Sequence, residues 1–300
     1  MTLDFINPFY IDDYQLFSYK ELKIKHFKVI QKCLFGDEPN IPTLLINFDN
    51  VIKDIIQLPN CDIKKIDFFI YIIFLLELRC TCMGNIIFAA FTDKPDTQIE
   101  INVYRVINTL KEFYIANKLQ PDTYENIKIN YRFPTFNNVL TFTDKNFYES
   151  FIEQIYINDT DIEFDKFNET EKHLIVNKLP SKVSTLIMNK VQQFLLVLNN
   201  VNLAKSIPGL QDKELYFNFN IINILYLLKL TFGDYLFNLY DNIFYLSKQC
   251  NLDANYIENL TPGEYIIFSK KLQELNSKNT NTNKNVLTNS VSNNFSDGFE

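Results

Sequence analysis

Tryptophan is absent from this chain of 300 residues, and glycine, cysteine and histidine are scarce, at six, five and two. Six glycines leave little for a backbone cradle around phosphate, and no Walker loop occurs. A hydrolytic triad needs a histidine beside a serine or cysteine and an orienting acid. Neither a G-x-S-x-G nor an H-E-x-x-H motif is present, and His26 and His173 read as structural. The cysteines, at 33, 61, 80, 82 and 250, are odd in number and form no paired framework. That pattern reads as reduced thiols in a cytosolic compartment. Cys80 and Cys82 are separated by one residue, where structural zinc pairs show two to four, and no second pair follows. They read as small apolar groups at a buried helix end, with no metal and no cofactor expected.

Basic runs are missing too. No more than two Lys or Arg stand together, and the net charge is −7. Phosphate neutralisation supplies most nucleic-acid affinity, so DNA and RNA are not expected partners. The N-terminus, MTLDFINPFYIDDY, lacks the basic and apolar regions of a signal peptide. Long apolar runs are also absent. The stretch from Phe68 to Leu76 stops before Glu77 and Arg79, and Leu215–Phe232 is broken by three asparagines and Lys229. Spanning a bilayer takes roughly 20 apolar residues, so both read as buried helices and no membrane partner is expected.

What the chain has in quantity is Phe and Tyr, 28 and 17 residues, within a 47% hydrophobic composition. That supports one large core or two smaller ones. Leu22 and Ile24 alternate with Lys23 and Lys25, predicting a short strand after a polar, aromatic lead-in. A helix should follow, ending at Gly36. Phe48, Val51, Ile52, Ile55 and Ile56 form the stripe of a second helix, closed by Pro59. A third, apolar on nearly every face, should run from an N-cap at Asp62 to about Cys82, with Gly84 as its stop. Strands are expected in NIIFAAFT, TQIEINV and NIKINYRFP.

From Asp144 the period becomes helical. Helices are expected over DKNFYESFIEQIYIND, on both sides of Pro180, on both sides of Gly233-Asp234, and after the capping box of Thr261, Pro262 and Glu264. The fold class read from this pattern is α+β. A small antiparallel sheet with helices (residues 1–143) precedes an all-α half (144–275) and a disordered polar tail (276–300). The acids of NDTDIEFD, 158–165, have the spacing of a calcium loop but lack its central glycine and closing glutamate. They read as a solvated connector. No catalytic constellation emerges.

The order of these pieces resembles the baseplate hub and hub-assembly protein family of T-even-type contractile-tailed phages. The resemblance covers about residues 15–275. It is carried by the order of YKELKIKHFKVIQKCL, an L-x-L-R-x-x-S-x-G signature at Leu76–Gly84, the strands TQIEINV and NIKINYRFPT, SIPGLQDKELYFNFN and LTPGEYIIFSKKLQEL. The signature residues here are Leu78, Arg79, Cys82 (where serine is usual) and Gly84. Relatives often carry cysteine pairs suggesting metal sites; this chain has FAAFTDKPD and NNVNLAKSIPG instead, so no zinc is carried over.

The resemblance implies a non-enzymatic tail morphogenesis protein, either a hub component or an assembly chaperone. Its partners would be other baseplate or hub proteins, in the host cytoplasm during assembly or in the virion baseplate. The alternative is a phage hydrolase or transferase with a site built from scattered carboxylates. Arg79 is expected to pair with a carboxylate or helix-end carbonyls, or else to face another subunit.

Overall fold

The computed structural model describes residues 6–11, 14–35, 41–57, 66–91, 94–135, 138, 147–198, 201–203, 207, 216–217, 221–232 and 239–280. β1 (Ile6–Ile11) and β2 (Tyr14–Lys20) form an antiparallel hairpin where only a lead-in was expected. Phe9, Ile11, Phe17 and Tyr19, at period two, are its buried face.

The strand expected at Leu22–Lys25 does not form, because α1 (Ile24–Phe35) starts there. Leu22 and Ile24 are both buried, as their alternation required. Their N–H groups, however, are taken by other partners, Cys82 Sγ at 3.3 Å and Leu260 O at 3.0 Å, so no ladder can build. α2 (Ile41–Ile55) buries Phe48, Val51, Ile52 and Ile55 as expected. Gly36 and Pro59, expected to end these two helices, lie outside the described residues.

α3 (Phe68–Met83) is the centre of the molecule. Only Glu77, Thr81 and Met83 among its side chains are less than fully buried. An apolar circumference requires neighbours all round, and α3 packs against the helices Val103–Ala116, Ile221–Phe232 and Pro262–Thr280. Each fully buried large apolar side chain contributes roughly 1.5–3 kcal/mol, so this helix anchors the core. Its N-cap is Asp67, whose carboxylate accepts the Phe69 N–H at 2.8 Å. The expected cap, Asp62, lies outside the described residues.

β3 (Ile86–Phe91) and β4 (Lys94–Asn102) make the expected hairpin, with Ile87 opposite Ile101. The chain then enters α4 (Val103–Ala116), a helix not anticipated from sequence. Its buried stripe is Val103, Val106, Ile107 and Leu110, and Asn102 caps it.

β5 (Asp122–Tyr124), β6 (Ile127–Tyr131), β7 (Ile152–Ile157) and β8 (Thr160–Asp161) form a four-stranded antiparallel sheet in that order. β7 corrects the helix expected over residues 144–159. A 3-10 turn at Glu149–Phe151 leads into it, and Ile155 faces Ile129. The register shift between Asn130 and Tyr131 leaves Glu153 as an extra residue, since Tyr131 pairs with Ile152 and Asn130 with Gln154. Ile152 and Ile155 therefore share a buried face although they are three apart, which imitates helical spacing. The acidic connector opens as a tight β7–β8 turn, with Asn158 and Asp159 both at positive φ, 50° and 61°, and continues through β8 into a 3-10 turn whose Phe164 is buried.

The remaining helices are α5 (Glu169–Lys178), α6 (Ser181–Leu198), α7 (Ile221–Phe232), α8 (Leu239–Gln249), α9 (Ala254–Glu258) and α10 (Pro262–Thr280). The break near Pro180 falls where expected, and Gly233-Asp234 lies outside the described residues. The second half is not all-α, however. Besides β7 and β8 it holds the short pair β9 (Val201–Asn202) and β10 (Tyr216–Phe217). The mixed α+β class stands. β6 and β7 pair across the expected boundary at 143/144, and buried residues from Phe9 to Leu272 join one cluster. α10 continues through residues 276–280, the start of the expected tail; residues 281–300 lie outside the described residues.

Candidate functional site

The signature residues meet at the C-terminal end of α3. Leu78 is buried in the core. Arg79 is 1% exposed, and its Nη2 donates to Ile86 O at 3.0 Å, joining the helix end to the first residue of β3. Burial there places the guanidinium inside the fold.

Gly84 makes this reversal possible. It sits at φ 91° and ψ 168°, an extended region open to glycine and closed to other L-residues, and ends the helix as expected. Its N–H donates to Cys80 O at 3.2 Å, and the next carbonyl, of Asn85, accepts the Val103 N–H at 2.8 Å. The turn thus ties the end of α3 to the start of α4 as well as to β3.

Cys82 Sγ accepts the Leu22 N–H at 3.3 Å, fixing the approach to α1. Beside it, Thr81 Oγ1 donates to Glu77 O at 3.1 Å. The Tyr19 hydroxyl, 2.9 Å from Thr81 Oγ1, is therefore the donor in that pair. Further along the helix, Phe74 takes edge-on contacts from Phe9, Phe17 and Tyr19. Glu77 pairs with Lys111 of α4 at 3.2 Å. One helix end therefore holds the β1–β2 hairpin, the lead into α1, β3 and α4.

Burial pushes the thiols of both Cys80 and Cys82 up to about 12, with the Arg79 charge opposing the rise at Cys80. Both are protonated at neutral pH. The thiolate is the nucleophile and metal ligand, so neither is poised for such chemistry. Among the described residues, no group of three or more His, Cys, Asp or Glu could hold a metal ion, and no helix is long and apolar enough to cross a membrane.

Other polar groups were not singled out from sequence. Burial raises the Asp67 carboxyl to about 7, against the opposing effects of the Phe69 and Ile70 N–H groups, Tyr114 and Arg132. Burial likewise raises Glu77, with Lys111 opposing it. The two residues are ten positions apart along the helix, an axial rise of about 15 Å at 1.5 Å per residue. Each is engaged in holding α3. An aspartate directly before an apolar run is the N-cap signal that could have located Asp67.

His26 is buried, and its Nδ1 accepts the Lys23 N–H at 2.9 Å, so the ring is neutral with its proton on Nε2. Burial takes it down to about 4. His173 Nδ1 lies 2.6 Å from Oε1 of the buried Glu149, linking α5 to the 3-10 turn before β7.

The family model described as T4 bacteriophage base plate protein matches residues 14–208. That span contains α3 with β2, α1, β3 and α4 of the junction, and leaves β1 and α7 to α10 outside it. No curated protein and no solved structure matches the chain.

Proposed function

Because the chain belongs to the T4 bacteriophage base plate protein family, we propose that it is a non-enzymatic tail morphogenesis protein. It is either a component of the baseplate hub or a chaperone for hub assembly. The match over residues 14–208 carries this reading.

The physical features support a protein that works through its surfaces. The signature residues are engaged in joining elements: a buried arginine on a backbone carbonyl, a protonated cysteine accepting an N–H, and a glycine at a reversal. Outside the core, large rings stand in water, including Phe88, Tyr104, Tyr240 and Phe244. Aromatic side chains are enriched at protein interfaces. The −7 net charge disfavours nucleic acid as the partner. Assembly in the host cytoplasm, followed by retention in the baseplate if the chain is a hub component, fits this role.

Quantitative mass spectrometry of purified virions, beside affinity isolation of tagged chain from infected cells, tests the proposal. A hub component appears in virions at fixed ratio to other baseplate proteins. A chaperone appears with baseplate intermediates in the cell and is absent from virions. Absence from both overturns the proposal.

A further inference from the structure

We draw no further inference here: the strongest candidate, the side-chain cluster between α5 and the 3-10 turn before β7, where the half-exposed His173 ring meets the buried Glu149 carboxylate at 2.6 Å, gathers no third metal-ligating group among the described residues, and nothing in the structure shows a ligand for it.

Discussion

Arg79 Nη2 donates to Ile86 O at 3.0 Å, a bond that crosses the turn between the central helix and β3. The guanidinium is 1% exposed, so its loss is not repaired by water. A lysine there lacks the planar fork and the reach of the head group. Arg79→Lys should cost about 1.5–3 kcal/mol, the range for hydrogen bonds to charged groups. Arg79→Ala should cost about 3–5 kcal/mol by adding a cavity. Urea unfolding measures both, and two variants within about 0.5 kcal/mol of wild type would sink the account of this junction.

Gly84 offers a sharper separation of causes. Nothing lies within 4 Å of the position its Cβ would occupy, so space does not limit substitution. Its φ of 91° does. Backbone strain of roughly 1–3 kcal/mol should therefore fall on Gly84→Ala and Gly84→Val almost equally. Cys82→Ser keeps an acceptor for the Leu22 N–H and should cost less than either. Thermal melts of the three variants decide this: a valine much worse than alanine would point to crowding, and a serine as damaging as both would refute the ranking.

Much of this architecture was legible because local chemistry and packing agree. α3 announces itself by an apolar circumference, and α10 by Thr261 and Glu264, whose reciprocal bonds are 2.8 and 3.3 Å. The failures share a cause, which is that tertiary partners replaced the pattern's usual meaning. Leu22 and Ile24 alternate like a strand, but Cys82 and Leu260 take their N–H groups. Ile152 and Ile155 are spaced like a helix because a bulge at Glu153 restores a common face. α4 was readable, since Val103, Val106, Ile107 and Leu110 have helical spacing. The alternation just before it hid the change of period. At the junction, Arg79 and Gly84 were visible as special residue types. Their partners, Ile86 O and the reversed backbone, exist only in three dimensions.

Truncation tests the C-terminal end. Leu272 is the last described side chain of α10 to be buried. Removing residues 276–300 should therefore change stability by less than about 0.5 kcal/mol, as surface changes do. Thermal melting with and without the segment checks it. A drop of several degrees would show that residues beyond 275 pack on the core.

Asp67 sets a pH dependence opposite to that of most carboxylates. Burial holds its folded value near 7 against an ordinary 3.8, although the Phe69 N–H at 2.8 Å and the Tyr114 hydroxyl at 3.4 Å favour the charged form. Between those two values the folded chain keeps a proton that the unfolded chain has released. The stabilisation is fully present below 3.8 and is lost as pH rises through 7. The slope reaches about 1.4 kcal/mol per pH unit at most. His26 acts in the other direction: lowered to about 4 from 6.5, it costs stability as pH falls across that interval. The difference between wild type and Asp67→Asn isolates the aspartate, because asparagine still caps α3 without titrating. That difference should move in favour of the asparagine variant from pH 4 to 7 and level off near pH 8. Tyr114→Phe, which removes a donor to the carboxylate, should extend the decline to higher pH. Urea midpoints at half-unit intervals of pH measure all three chains. A constant gap between wild type and Asp67→Asn would mean that the Asp67 carboxyl keeps an ordinary acidity and that its burial at the head of α3 carries no proton.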